Sequence, residues 1–262
     1  MTSKRALSSQ TNRKKDSRAS CWRSIFFGFI QRTPGGSVKL FKICERYCRG
    51  HHIWRWIGNI AGLKASKIVW PASLDSPDTE IFVVTVDGVD FKTWEKKHPL
   101  LNQDRLMYSH KHKKAAVKYE IGISVFASKC VWLAGPFRGG KADISIYTGI
   151  EDEKDRSLRE ELGRPVYDCL EDKLADGKLA IGDHSKGAGK KTAVKNDTDP
   201  GELHNFKSRA LARHETFNGR LTKYSILRDC FRHGFVKHPL AMEAVCVLVQ
   251  YQMDCGDELF AV

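Results

Sequence analysis

The sequence predicts a mixed α/β domain, a sheet of mixed strand direction flanked by helices, with a small irregular or helical region before it. Three observations predict this class. A nearly unbroken run of β-branched and aromatic residues spans 80–86, two further apolar segments flank a short turn at 128–129, and a fourth apolar run ends at 182. Charged stretches with apolar residues at helical spacing lie between and after these runs, and strands first with helices interleaved later are typical of an α/β fold.

The N-terminal part of the chain is expected to lie outside that sheet. Residues 1–20 are rich in Ser, Lys and Arg and cannot bury enough apolar surface to fold, so we expect a disordered basic arm. Its run Arg13-Lys14-Lys15 fits a nuclear-import signal or, equally, a solvated tail. Residues 21–75 are expected to form two or three short helices, which leaves 76–256 for the α/β domain.

Two strands are expected to end at an aspartate. The run 80–86 is apolar on both faces, as in a central strand buried on both sides, and we expect Asp87 and Gly88 to end it. A fourth strand over 178–182 would deliver Asp183 in the same way. Both carboxylates would then stand at the ends of neighbouring buried strands.

A hairpin and a helical region are expected between those two strands. Residues 119–127 alternate loosely, Ser128-Lys129 offers a turn, and 130–134 is again apolar, which together predict a hairpin. Residues 143–174 are charged with spaced apolar positions and are expected to be largely helical.

Charge indicates the class of partner. The chain has 262 residues with 44 Lys+Arg against 31 Asp+Glu, a formal net charge of +13 and a pI near 9.4. Such an excess favours nucleic acid through counterion release, although a ribosomal or membrane-surface partner fits the charge alone. No run of about 18 apolar residues and no secretory signal is present, so we expect a soluble intracellular chain with no membrane partner.

The eight cysteines are scattered along the chain and are expected to be reduced core thiols. The alternative is a zinc site formed by Cys44, Cys48, His51 and His52. Against it, this pattern lacks the longer loop that separates ligand pairs in zinc fingers, and the same segment fits a basic amphipathic helix.

A helix near residues 204–224 carries an isolated glutamate. At 100° per residue, one stripe is apolar and is formed by Phe206, Ala210, Phe217, Leu221 and Tyr224. Another face has small residues and Glu215 as its only charge, while Arg209, Arg213, Arg220 and Lys223 occupy a third sector. We expect the Glu215 face to approach other elements closely, where a metal ion would compensate the carboxylate; an exposed glutamate is the alternative.

These three acids together predict a metal site. Asp87 and Asp183 from strand ends and Glu215 from a helix could hold two divalent ions roughly 3.5–4 Å apart, the arrangement that catalyses in-line phosphoryl displacement. Asp90 could replace Asp87, although it lies beyond the expected strand end.

The segments that carry these acids resemble the DDE superfamily transposases of the PIF/Harbinger type, whose catalytic domain has the ribonuclease-H-like fold. The resemblance rests on Val-Asp-Gly at 86–88, a Gly-Pro segment that leads to an aspartate at 135–143, Ile-Gly-Asp at 181–183, and the helix motif at 209–223. It covers roughly 66–252, and the helix motif is its most specific part.

The resemblance implies a function and a set of site residues. Asp87, Asp183 and Glu215 would be the catalytic and metal-binding triad for two Mg²⁺ or Mn²⁺ ions, with Asp143 as an accessory acid at the start of a helix. The chain would be a nuclear endonuclease or transposase that cleaves and joins DNA phosphodiester bonds. The residues expected to contact nucleic acid are Lys186, Lys190, Lys191, Arg213 and Arg220.

The chain also departs from the family pattern. His184 to Gly187 stand where the family commonly has an aromatic residue, and no convincing helix-turn-helix precedes the catalytic region. Recognition of a DNA end would therefore be lost or supplied by a separate DNA-binding protein partner. The alternative function is a domesticated or decayed transposase derivative that binds DNA without cutting it, and a more distant one is an unrelated basic RNA-binding module.

Overall fold

The computed structural model describes residues 51–94, 107–164, 167–182 and 191–262. The chain divides into two units at Arg55, and almost all described residues belong to the second unit, Trp56–Val262. The predicted basic arm and most of the predicted N-terminal helical region lie outside the described residues.

Eight α-helices and six strands are present in the described part of the chain. The strands are β1 (Phe82–Lys92), β2 (Tyr108–Ser109), β3 (Lys114–Ser124), β4 (Cys130–Arg138), β5 (Leu179–Gly182) and β6 (Thr192–Ala193). The helices are α1 (His51–Ala61), α2 (Lys64–Lys67), α3 (Asp143–Tyr147), α4 (Glu153–Glu161), α5 (Leu170–Lys173), α6 (Gly201–Thr222), α7 (Ser225–Arg228) and α8 (His238–Asp254). Two short 3-10 helices span Ala72–Leu74 and Phe235–Lys237.

The strands form one mixed, open sheet with β1 near its centre. The order across the sheet is β4-β3-β1-β5-β6, and β2 pairs with the beginning of β3. Strand β1 is antiparallel to β3 and parallel to β5, while β5 is parallel to β6. The protein is therefore α/β with a mixed sheet flanked by helices, as the sequence predicts.

Strand β1 is longer than expected. The prediction that Asp87 and Gly88 end it is wrong, because β1 continues to Lys92 and pairs with β3 throughout. The extension is favoured by Val89 and Phe91, which are both buried and alternate with more exposed residues. Asp87 consequently lies in the middle of a strand.

The predicted hairpin is confirmed as β3 and β4, although both strands are longer than expected. The region 143–174 is helical only in part, because it is divided into α3, α4 and α5. Gly149 and Gly163 have φ angles of 73° and 59° just after α3 and α4. Glycine adopts this left-handed conformation without steric cost, and it commonly ends a helix.

Helices cover both faces of the sheet. On one face Val84 and Val86 of β1 belong to the same buried cluster as Tyr147 and Leu170. On the other face α6 packs against β1 and β5, and its apolar stripe is buried as predicted, with Ala210, Phe217 and Leu221 fully inaccessible to solvent. The sheet is therefore covered on both sides.

Among the described helices, α8 is the most extensively buried, with residues such as Ala241, Met242 and Val249 inaccessible to solvent. It is a core helix of the α/β unit. Within the described ranges, no helix combines the length and the apolar character needed to cross a membrane.

The described cysteines are all free thiols. Cys130, Cys169 and Cys246 are buried, Cys230 is half-buried and Cys255 is exposed. The expectation of reduced core cysteines is therefore confirmed for three of these five.

Candidate metal-binding and catalytic site

The site is centred on Asp87, which is half-buried in the middle of β1. Its Oδ2 accepts a hydrogen bond of 3.0 Å from Nδ2 of Asn218 on α6. On the other side, the preceding residue Val86 pairs with Gly182, the last residue of β5. Asp87 therefore lies where β1, the end of β5 and α6 meet.

A second contact fixes the register between α6 and β1. His214 Nδ1 lies 2.9 Å from Thr85 Oγ1, and both residues are buried. Burial lowers the pKa of His214 to about 3, so its ring is neutral at physiological pH. Thr85 and Asp87 share one face of the strand, and His214 and Asn218 lie one helical turn apart, so the two contacts hold α6 at two points.

Glu215 lies between those two helix contacts but on another side of α6. Its side chain is exposed, as are those of Ala212 and Thr222, and a Cβ built on Gly219 would meet nothing within 4 Å. The expectation that this face packs closely against other elements is therefore wrong. His214 and Asn218 lie on the buried side of α6 instead, so the Glu215 carboxylate is open to a ligand.

Three carboxylates share one electrostatic environment. The pKa of Asp87 is raised from 3.8 to about 6, first by burial, then by repulsion from Glu215 and from Asp143. The Gly88 backbone hydrogen bond and the positive charge of Lys111 oppose this rise. Asp87 is thus a destabilised carboxylate in a group of acids.

Asp143 is the first residue of α3, as predicted, and it lies over Gly88. A Cβ at Gly88 would be 2.3 Å from Asp143 Oδ1, so only glycine leaves room for this carboxylate. Lys118 of β3 approaches the same oxygen at 2.7 Å and also donates a 2.8 Å hydrogen bond to the Lys141 carbonyl. Because side chains alternate along a strand, Asp143 and Lys118 lie on the face of β1 opposite the Asp87 side chain, the face that Asp90 also takes.

Asp90, the alternative to Asp87, is occupied elsewhere. It lies three positions further along β1 and so points to the opposite face of the strand. Its Oδ2 accepts a hydrogen bond of 2.5 Å from Ser109 Oγ, and its Oδ1 is 3.8 Å from Lys118 Nζ. Asp90 therefore belongs to the side of the sheet that faces away from α6.

Glu120 is a further acid that the sequence did not reveal. It pairs with Gly88 across β1 and β3, is 2% exposed, and accepts a 2.8 Å hydrogen bond at Oε2 from Trp132 Nε1. Burial raises its pKa to about 8, and its Oε1 has no hydrogen-bond partner among the described residues. Glu120 is thus largely protonated at neutral pH.

Asn218, Lys118 and Glu120 were given no role on the sequence alone, although it contains a signal for each. Asn218 follows Glu215 by three positions, which places it on an adjacent part of the helix surface. Lys118 and Glu120 are charged residues two positions apart inside an otherwise apolar strand, a pattern that indicates a shared polar contact on one face.

The arginines expected to contact nucleic acid are engaged within the protein. Arg213 is only 4% exposed, and its Nη1 donates to the carbonyls of Ser124 and Val125. Arg220 donates to the carbonyls of Asp257 and Glu258. The prediction that Arg213 faces a nucleic acid is therefore not retained, because a buried guanidinium between two carbonyls cannot reach a phosphate.

The structure describes only one of the three lysines that are expected to contact nucleic acid, and it does not describe Asp183. Lys191 donates a 2.6 Å hydrogen bond to the Leu174 carbonyl. Asp183, Lys186 and Lys190 lie outside the described residues, as do Cys44 and Cys48 of the suggested zinc site, and the His51 and His52 side chains are not described.

Among the residues that the structure describes, no three His, Cys, Asp or Glu side chains form a group that could hold a metal ion. One of the three predicted ligands, Asp183, is not among them. The described acids Asp87, Asp143 and Glu215 supply hard oxygen atoms of the kind that Mg²⁺ prefers, and Glu215 faces solvent.

No known family model, curated protein or solved structure matches this chain. What the site can do follows from its own geometry and charges. A half-buried aspartate with a raised pKa, flanked by an exposed glutamate and an accessory aspartate, is an arrangement that a bound cation would stabilise.

Proposed function

We propose that this chain is a metal-dependent DNA endonuclease of the DDE transposase type, which cleaves and joins phosphodiester bonds. One observation carries the proposal: burial, followed by the negative charges of Glu215 and Asp143, raises the pKa of Asp87 to about 6. Such a group of carboxylates stays ionised together when a cation compensates the charge, and divalent ions do this in phosphoryl-transfer sites.

The proposal extends to a ribonuclease-H-like domain. It is supported by a mixed sheet in which β1 is antiparallel to β3 and parallel to β5, followed by a long helix, α6, that packs against β1 and β5. One acid on β1 and one on α6 are then brought to the same end of the fold by this topology.

Connectivity supports Asp183 as the third ligand. Asp183 directly follows Gly182 in the chain, as Asp87 directly follows Val86, and Gly182 is the parallel-sheet partner of Val86. Neighbouring strands are about 4.8 Å apart, a spacing compatible with two acids that share metal ions.

Different residues of the chain would bind the metal ions and orient the ligands at this site. Two Mg²⁺ or Mn²⁺ ions, when bound, would activate a water or 3′-hydroxyl and stabilise the leaving oxygen. Asp87, Asp183 and Glu215 would hold them. Asn218 orients the Asp87 carboxylate through its hydrogen bond to Oδ2, and Lys118 keeps Asp143 in place by its ion pair.

Nicking of a supercoiled plasmid tests the proposal. The purified chain should nick the plasmid in Mg²⁺ or Mn²⁺ and not in EDTA, and DNA affinity should be measured in parallel. A chain that binds DNA but neither binds the metal nor nicks DNA is instead the decayed, non-catalytic derivative.

Metal affinity should depend on pH. Because the metal binds the ionised carboxylate, a proton on Asp87 competes with it, and the pKa of Asp87 is about 6. We therefore expect Mg²⁺ to bind about tenfold more weakly at pH 5 than at pH 7. Isothermal titration calorimetry at both pH values measures this difference, and an affinity that stays constant down to pH 5 contradicts the role of Asp87.

Gly88→Ala should weaken the metal site without unfolding the protein. The new Cβ would meet Asp143 Oδ1 at 2.3 Å, and the carboxylate would swing away from the site and from Lys118. We expect Mg²⁺ affinity to fall about 10–100-fold, the usual cost of disturbing groups around metal ligands.

Gly219→Ala is the matched control for that substitution. Nothing lies within 4 Å of a Cβ at Gly219, so this variant should keep its metal affinity. Because Gly219 is inside a helix, where alanine is favoured over glycine, the variant should also gain about 0.5–1 kcal/mol of stability. Equal metal affinity in the two variants would exclude Asp143 from the site.

A further inference from the structure

A second polar surface lies at the far end of β1, beyond the acidic site. Three segments form it, and we name them together the basic ledge: residues 92–94, 108–114 and 231–237. They include six Lys or Arg residues and no Asp or Glu. The cations are Lys92, Lys111, Lys113, Lys114, Arg232 and Lys237.

Backbone hydrogen bonds hold these segments side by side. The Thr93 amide donates to the Ala115 carbonyl at 3.0 Å, and Ala115 pairs on its other side with Tyr108. The Trp94 amide donates to Phe231 at 2.8 Å, and Thr93 and Phe231 form an isolated bridge. Tyr108, Ala115, Thr93 and Phe231 thus lie on four adjacent stretches of chain, and a spacing of about 4.8 Å between them gives a ledge about 15 Å wide.

The cations of the ledge are directed outwards. Lys111, Lys113, Lys114, Arg232 and Lys237 are all exposed. Two described acids lie beside the ledge: Asp229, which pairs with Arg228, and Asp90, which accepts a hydrogen bond from Ser109. With six cations against these two acids, the described segments of the ledge carry a net positive charge.

Two aromatic rings stand among these cations. Trp94 is 59% exposed and Tyr108 is 38% exposed. The Arg232 guanidinium lies 5.9 Å from the centre of the Trp94 ring, and His110 stands edge-on to Tyr108 at 5.6 Å. Exposed rings beside cations are the combination that binds unpaired nucleic acid, because bases stack on the rings while phosphates meet the charges.

The ledge adjoins the candidate active site. His112 Nε2 lies 3.1 Å from the Asp90 carbonyl, in the same strand as Asp87. Lys111 is also close enough to Asp87 to lower its pKa, against the larger effects that raise it. The ledge therefore begins at Lys92, five positions along β1 from Asp87, and a strand of nucleic acid bound there would lie beside the proposed cleavage site.

We infer that the basic ledge binds an unpaired strand of DNA beside the cleavage site, with bases stacked on Trp94 and Tyr108 and phosphates on the surrounding lysines and Arg232. Paired bases in a duplex hide the faces that these rings would contact, which favours a single strand. The choice of DNA rests on the proposed function, whereas the contact itself does not require catalysis.

Fluorescence anisotropy of a labelled 12-nucleotide oligothymidine, with the full chain in EDTA, tests the inference. Trp94→Ala should weaken binding about 5–100-fold, the range expected for the loss of one stacking ring. The double variant Lys113→Gln with Lys114→Gln should reduce the slope of log K against the logarithm of salt concentration by about 1.4, because two phosphate contacts to a single strand are lost.

Matched controls come from other surfaces. Phe126→Ala removes an aromatic ring that is 49% exposed, and Lys154→Gln with Arg156→Gln removes two exposed charges on α4. Both controls should bind the oligonucleotide like the wild type.

Three results would overturn the inference. The first is an equal loss of oligonucleotide affinity in Trp94→Ala and Phe126→Ala. The second is tighter binding of a duplex than of the single strand, with a duplex affinity that Trp94→Ala does not change. The third is a strong preference for an RNA oligonucleotide of the same length. Because EDTA is present, a chain that never nicks DNA can still bind on the ledge. Conversely, if the ledge variants bind the oligonucleotide like the wild type, the ledge inference fails even when the chain nicks DNA in the presence of metal. The two proposals therefore fail separately.

Discussion

Asp87→Asn is expected to abolish metal-dependent DNA nicking, with a loss of at least about 100-fold, since changes to groups that merely support metal ligands already cost 10–100-fold. Asparagine has the shape of aspartate and can still accept the 3.0 Å hydrogen bond from Asn218. Only the charge is removed. Initial rates of plasmid nicking in Mg²⁺ measure the effect, and DNA affinity should remain close to that of the wild type.

The same variant should be more stable than the wild type when no metal is present. The pKa of Asp87 is about 6 in the folded protein against 3.8 as its ordinary value, so its ionised form disfavours folding above pH 6. This cost falls as the pH drops through 6 and disappears only below about pH 3, where the carboxyl is protonated in both states. In EDTA we expect Asp87→Asn to gain up to about 3 kcal/mol at pH 7.5 and less than about 1 kcal/mol at pH 4.

Mg²⁺ should reverse that order by stabilising only the wild type. Asp168→Asn, which removes an exposed carboxylate, is the matched control and should change neither nicking nor the response to Mg²⁺. If Asp87→Asn nicks DNA at the wild-type rate, or if Mg²⁺ raises its melting temperature as much as that of the wild type, Asp87 is not a metal ligand.

The features of the fold that the sequence predicted are those set by local apolar pattern. The central strand, the hairpin of β3 and β4, and the buried stripe of α6 through Ala210, Phe217 and Leu221 all follow from residues that must leave water. The burial of these residues determines the type of each element almost independently of its distant partners. The period and the composition of the apolar residues were therefore sufficient to predict these elements.

The features that the sequence missed depend on distant contacts. Gly88 suggested a strand end, yet β1 continues through it, and the space that a side chain would fill is occupied by the Asp143 carboxylate, 55 positions away. Arg213 suggested a phosphate contact, yet the carbonyls of Ser124 and Val125 bind it in the interior. Neither partner can be read from local sequence.

The surroundings of Asp87 depend on distant contacts in the same way. Glu215 and Asp143 each lie near enough to raise the pKa of Asp87, but the exposed direction of Glu215 depends on how α6 rotates against the sheet. That rotation is set by the contacts of His214 and Asn218 with β1, which the helical period alone does not choose. The role of Asp183 stays a prediction.

Arg138→Ala is expected to cause the largest loss of stability, about 3–5 kcal/mol, because it breaks a buried ion pair by removing one partner. Arg138 ends β4 and is 6% exposed. Its Nε donates to Asp155 Oδ1 at 2.6 Å, and its Nη2 also pairs with Asp152. Without the guanidinium, the buried Asp155 keeps only Lys141, at 2.8 Å. Urea unfolding at pH 7 measures the difference.

Two comparisons decide whether the ion pair is the cause. Arg156→Ala, an exposed arginine on α4, should change stability by no more than about 0.5 kcal/mol. The double variant Arg138→Ala with Asp155→Ala should lose less than the sum of the single losses, because removing Asp155 also removes the uncompensated charge. Additive losses would mean that Arg138 stabilises β4 through the packing of its aliphatic stem rather than through Asp155. The ion pair would then have no part in holding α4 against the strand that supports Lys118 and Glu120.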